Sequence, residues 1–273
     1  MIVEKIDLYS YFNIERTDGA KGYLKTYIID KSTFANDRIR PAMLIIAGGG
    51  YSHVSEREME PVAIKYIESG FNCFVLEYST VPIYHPTQLI EGAMAMIYIR
   101  INAEKYNIDK NLVVALGFSA GSHLCGMLAT LTDSKIIEQV LSINSSFVRP
   151  NAVILGYPVV SATHHIASFK NISGGDISLY KKLSIENNVD NKSSPAFIWG
   201  CLDDPVVHSD NGFILAQAYK KAKVPFEYHL FESCNGIHGL SICEKETLYI
   251  NDTVKPWIQL SKKWLKNRGF ILK

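Results

Sequence analysis

From Pro41 onward the chain alternates between two textures. Short, almost continuously apolar runs occur at Ala42–Ala47, Asn72–Glu77, Leu112–Leu116, Ala152–Leu155, Ala196–Trp199 and Phe226–Phe231. Between them lie segments with helical periodicity at Glu60–Ser69, Gln88–Tyr106, Ser119–Leu131, Gly212–Ala222 and Val254–Lys266. A strand that is apolar on both faces needs cover on both, and parallel sheets receive it from crossover helices. The alternation therefore predicts a doubly wound α/β fold with a mostly parallel sheet. Two more polar segments, around Ile2–Tyr11 and Gly22–Asp30, alternate like antiparallel strands and bring the expected sheet to about eight strands. Ser161–Ser194 breaks the rhythm: it is polar and irregular, contains Ser173-Gly174-Gly175, and follows the sixth expected strand. Such an insertion reads equally as a lid over a site or as a surface excursion. With no linker or internal repeat, residues 1–273 are expected to form a single domain.

Composition narrows the classes of partner. The chain carries 28 basic and 27 acidic side chains, and its aromatic residues are not interleaved with basic clusters. Nucleic acid and anionic membrane surfaces are therefore not expected partners. The five cysteines are odd in number and scattered without a Cys-x-x-Cys pair, which fits reduced thiols in a cytoplasmic protein. Charges at Glu4, Lys5 and Asp7 stand where a signal peptide would be apolar, and the apolar runs are strand-sized. Oligomeric state is left open by these features, with a homodimer among the options.

Gly117-Phe118-Ser119-Ala120-Gly121 lies between the run Leu112–Leu116 and the helical segment after it. A serine between glycines at a strand-to-helix junction is the nucleophile-elbow pattern: the turn is so sharp that the residues two before and two after must be small. Acyl transfer further needs a base, a carboxylate to orient it, and donors for a developing oxyanion, each at the C-terminal end of a strand. His238, in Asn235-Gly236-Ile237-His238-Gly239 after the last strand, is the candidate base. His123, one turn beyond Ser119, reads as a packed, hydrogen-bonded residue rather than a second base.

Two adjacent aspartates follow the run Ala196–Trp199 in Cys201-Leu202-Asp203-Asp204-Pro205. Asp204 is the first choice for the orienting carboxylate and Asp203 the alternative; the other of the two would cap the helix near Ser209 or face solvent. Gly48-Gly49-Gly50 follows the run Ala42–Ala47, and three glycines in a row are costly unless backbone N–H groups must approach a ligand. The amides of Gly49, Gly50 and Ala120 are the expected oxyanion hole. The glycine pattern matches neither a P-loop nor a dinucleotide fingerprint, and neither His164-His165 nor Cys234/His238 has zinc-site spacing, so no cofactor or metal is expected.

Together, Gly48-Gly49-Gly50-Tyr51, Ser55-Glu56-Arg57-Glu58, Gly117–Gly121 with His123-Leu124, Trp199–Val207 and His238-Gly239 resemble α/β-hydrolase-fold esterases. The branch is that of bacterial acetyl esterases and acetylxylan-esterase-like enzymes related to hormone-sensitive lipase, and the resemblance runs from about residue 41 to 266. It implies a serine carboxylesterase that hydrolyses short acyl esters, often acetyl groups on sugars, without a cofactor. Ala47 stands where lipase relatives often carry histidine, and Ser122 where a glycine is common; both leave the backbone donors intact. The same triad would also serve a small amidase, formamidase or peptidase. A non-catalytic small-molecule-binding protein on this fold is the alternative of another class.

Overall fold

The structure, a computed structural model, describes residues 1–30, 39–245 and 249–271. Its strands are β1 (Lys5–Asp7), β2 (Tyr23–Tyr27), β3 (Arg40–Ile46), β4 (Asn72–Glu77), β5 (Ile108–Phe118), β6 (Ala152–Gly156), β7 (Ala196–Cys201) and β8 (Phe226–Phe231). They form one eight-stranded sheet in the order β1-β2-β4-β3-β5-β6-β7-β8. The first two are antiparallel additions, and every pairing from β4 to β8 is parallel.

Why the runs are apolar throughout is visible along β3. Ala42, Leu44 and Ile46 enter one buried cluster with Leu89 and Met96 of α3 (Thr87–Ile101) and Leu124 of α4 (Ala120–Thr130). Met43 and Ile45 enter the other, with Val62 and Tyr66 of α2 (Glu60–Ile67) and Trp257 and Leu265 of α9 (Trp257–Asn267). Alternate side chains on a strand point to opposite faces, so two cores demand two apolar faces. Each fully buried Leu or Ile contributes about 1.5–3 kcal/mol relative to exposure.

Several local expectations change. Ile2–Tyr11 is not one strand: pairing stops at Asp7, whose side chain accepts from the Ser10 amide and caps the short helix α1 (Leu8–Phe12). The short amphipathic helix α5 (Ser134–Leu141) is not among the expected helical segments, although Ile136, Ile137, Val140 and Leu141 recur at helical spacing and Ile136, Ile137 and Leu141 pack on the core. Segment 161–194 is not irregular chain; it carries α6 (Ile166–Ser173) and α7 (Tyr180–Leu183), joined to α8 (Asp210–Ala222) by β7. It is tied to the body by the Ile185 amide donating to the Val160 carbonyl and by the Ser194 amide donating to Ala129. Among the described residues no helix is long and apolar enough to cross a membrane.

Candidate active site

The turn from β5 into α4 is built by what it lacks. A Cβ on Gly121 would lie 2.1 Å from the Ile46 carbonyl oxygen, and one on Gly117 2.5 Å from the Gly121 carbonyl carbon. Ser119 between them takes φ 51° and ψ −120°, a conformation costing about 1–3 kcal/mol that persists only where surroundings over-determine it. Here its amide donates to the Gly156 carbonyl and its carbonyl accepts from Val159, while the Ser122 hydroxyl bridges the carbonyls of Gly117 and Gly156.

His238 Nε2 lies 3.2 Å from Ser119 Oγ, and His238 Nδ1 lies 2.8 and 3.0 Å from the two carboxylate oxygens of Asp204. An ionised carboxylate only accepts, so Nδ1 carries the ring proton and Nε2 is left to accept from the serine hydroxyl. Asp204 is buried and also accepts from the amides of Val206 and Val207, which fixes the carboxylate before it meets the imidazole. The three side chains come from the C-terminal ends of β5, β7 and β8, where an open α/β sheet places its sites.

Gly49 and Gly50 adopt φ of 126° and 61°, and both line the cavity that holds Ser119. Among the described residues no hydrogen bond takes the N–H of Gly49, Gly50 or Ala120. The Gly48 amide, by contrast, donates to Glu58 Oε2 at 2.7 Å. Glu58 is buried, and its other oxygen accepts from the Tyr157 hydroxyl at 2.6 Å, which in turn accepts from the Ser241 amide. Burial raises the Glu58 pKa; the Tyr157 and Gly48 donors and the charges of His238 and Arg57 pull it partly back. The Tyr157 ring meets His238 edge-on at 5.0 Å. One carboxylate thus joins the glycine loop after β3 to the histidine loop after β8.

A second brace runs behind the serine. His123 Nε2 donates to the Leu183 carbonyl at 2.9 Å, so its Nδ1 accepts from the Tyr51 hydroxyl at 2.7 Å. Complete burial depresses its pKa to about 4 and keeps it neutral. The segment 161–194 also supplies Asn171, whose side-chain amide donates to the Gly50 carbonyl at 2.8 Å.

The cavity has a volume of about 330 Å³. Apart from Val206 and Ala167 its side-chain walls are polar, with Ser52, Ser55, Ser168, His53 and His165 among them.

The structure therefore brings Ser119, His238, Asp204, Gly49, Gly50 and Ala120 to one place. Asp203 departs from expectation: it neither caps the helix near Ser209 nor merely faces solvent, but bonds the loop that carries His238. Sequence reasoning missed the roles of Glu58, Tyr157 and Asn171. Glu58 stood in the Ser55–Glu58 stretch of the resemblance, but nothing local signals that its carboxylate turns inward.

The BD-FAE family profile matches residues 31–219. The chain is 36% identical over 225 residues to endo-1,4-beta-xylanase B of Butyrivibrio fibrisolvens, a match covering 77% of this chain and 34% of that one. It is 30% identical to an acetylxylan esterase of Xylanibacter ruminicola, covering 72% of this chain and 40% of that protein. The match thus spans only about a third to two fifths of the length of these relatives. Among solved structures, an acetyl ester-xyloside bifunctional hydrolase from Caldicellulosiruptor lactoaceticus superposes with a TM-score of 0.80 at 36% identity, over 92% of this chain and 89% of that one. A carboxylesterase from Lactobacillus plantarum superposes over the whole of both chains with a TM-score of 0.84 at 27% identity.

Proposed function

We propose that this chain, which belongs to the BD-FAE family of α/β hydrolases, is an esterase of the acetylxylan-esterase type that hydrolyses short acyl esters, acetyl above all, of sugar-like alcohols. The observation that carries this reading is the unbroken hydrogen-bond chain Asp204–His238–Ser119 opening on a small cavity lined mainly by polar residues. Hydroxyl, imidazole and amide groups on the walls suit a polyhydroxy alcohol, and about 330 Å³ leaves little room for a long acyl chain.

In the proposed mechanism Ser119 Oγ attacks the ester carbonyl carbon as His238 Nε2 takes its proton. Asp204 holds the tautomer and offsets the imidazolium charge, and the oxyanion is received by the amides of Gly49, Gly50 and Ala120. On collapse, the carbon–oxygen bond to the alcohol breaks and the leaving oxygen takes the proton from His238. Water, deprotonated by the same imidazole, then cleaves the acyl-enzyme and releases the acid.

The test is covalent labelling with a fluorophosphonate, alongside turnover of p-nitrophenyl acetate. Native protein should be labelled on Ser119, and Ser119→Ala should fold, resist labelling and lose turnover by several orders of magnitude. A folded Ser119→Ala variant with near-native turnover would refute the mechanism. A p-nitrophenyl series should fall in kcat/KM from acetyl and butyryl to longer acyl chains.

A further inference from the structure

Arg57 sits in the turn Glu56–Glu58 after β3, on the wall of the cavity that contains Ser119 and His238. Its guanidinium carbon lies 5.1 Å from the centre of the Tyr249 ring. On another side it packs against the backbone of Gly239, where an added Cβ would come within 2.7 Å of Nη2. The absent side chain at Gly239 is what admits the cation beside His238. Yet Arg57 Nε is buried without a hydrogen-bond partner, and among the described residues no carboxylate forms an ion pair with the guanidinium. Arg100 Nε is likewise unpartnered, but Arg100 donates through its Nη atoms to the carbonyls of Lys110 and Arg149, and Arg16 donates to Asp7, whereas no such donation by Arg57 occurs among the described residues. Glu58 feels the Arg57 charge but spends its oxygens on Gly48 and Tyr157, and Asp204 lies behind the imidazole.

Among the described residues the Arg57 guanidinium on the cavity wall thus forms no ion pair or hydrogen bond of its own, and the one carboxyl beside it, Glu58, is committed to Gly48 and Tyr157. A guanidinium partly withdrawn from water favours a planar, charged acceptor, and carboxylate is the geometric match for its fork of donors. Its position also selects the half of the substrate involved. The leaving oxygen collects its proton from His238, so the alcohol lies on the His238 side, and Arg57 abuts the next residue.

We propose that Arg57 forms an anion-recognising subsite for the leaving group, and that the preferred substrates are acyl esters whose alcohol portion carries a carboxylate. This rests on the esterase reading above.

Two acetyl esters separate the two ideas: 4-acetoxybenzoate and methyl 4-acetoxybenzoate, which differ in the charge on the leaving phenol. The neutral ester has the better leaving group, so a preference for the anion must come from the protein. At low ionic strength the native protein should favour the anion in kcat/KM by about ten- to a hundred-fold, mainly through KM, the worth of one charge-assisted contact. Added salt should shrink that ratio. Arg57→Gln should bring the ratio to about one, and Arg57→Lys should keep part of it. Equal rates on both esters in the native protein would overturn the subsite while leaving the esterase reading intact. An Arg57→Gln variant that slows both esters by the same factor would also overturn it. Hydrolysis of neither ester would refute the esterase reading, and the subsite with it.

Discussion

Asp203 Oδ1 accepts a hydrogen bond from the Cys234 amide at 2.6 Å, joining the loop after β7 to the loop that carries His238. Its other oxygen accepts from the Ser233 hydroxyl at 2.6 Å and from the Gly236 amide at 3.3 Å. These donors, the Ser233 hydroxyl foremost, hold the carboxyl pKa far below its ordinary value, so the anchor stays ionised well into acid solution. Adjacent aspartates divide the labour: Asp204 orients the imidazole and Asp203 holds its loop. Asp203→Ala should therefore lower kcat for p-nitrophenyl acetate by about ten- to a hundred-fold, as a small misplacement of the ring does. KM should move little and the far-UV spectrum should be unchanged, because Asp203 is exposed and outside the core. Native kcat in this variant would remove Asp203 from any positioning role.

The division between the two aspartates also marks where sequence legibility ends. Parallel strands were readable because two cores impose apolarity on consecutive residues, as at Met43 and Leu44, and the elbow because only glycine fits at 117 and 121. Asp203, Glu58 and Tyr157 were not, since their partners lie 31, 10 and 99 positions away and no periodicity encodes such contacts. The opening helix was missed for a different reason. A capped five-residue helix is decided by one hydrogen bond, from the Ser10 amide to the Asp7 carboxylate, against a background that alternates like a strand.

Tyr157→Phe cuts the link between the glycine loop and the histidine loop. Glu58 loses the donor to one oxygen and the Ser241 amide loses its acceptor, both in buried surroundings. An unmet buried hydrogen bond costs about 1–3 kcal/mol, so the melting temperature should drop by about 2–8 °C. Because the Gly48 amide hangs on the same carboxylate, kcat should also fall, by about ten-fold. Unchanged kcat with a lowered melting temperature would make the network purely structural.

Glu91 makes stability depend on pH. It is buried under α1 and accepts from Ser79 and Tyr9, and burial raises its pKa to about 7 against those donors. Between the unfolded value of 4.5 and about 7 the folded protein binds more of this proton than the unfolded chain, so this group's contribution falls as pH rises through that window. The full loss is on the order of 3 kcal/mol. Glu91→Gln can still accept from the Ser79 amide but cannot ionise. Its melting temperature should exceed the native protein's by more at pH 8 than at pH 5, whatever its offset at pH 5. Parallel pH profiles for the two proteins would show that Glu91 does not titrate in this range.

Glycine replacements should separate steric necessity from mere backbone preference. At Gly121 the new methyl would meet the carbonyl oxygens of Ile46 and Ala47 at 2.1 and 2.4 Å, backbone atoms at the buried C-terminal end of β3 that have nowhere to go. At Gly175, with φ 86°, no atom lies within 4 Å of the new carbon, so only the left-handed conformation resists substitution. Gly175→Ala should therefore cost about 1–2 kcal/mol and leave turnover intact. Gly121→Ala should displace α4 from the sheet and, if it folds, lose fluorophosphonate labelling at Ser119. Guanidinium melts and labelling rates on the two variants measure both quantities. If Gly121→Ala labels at the native rate, the elbow is not held by the close approach of Gly121 to β3.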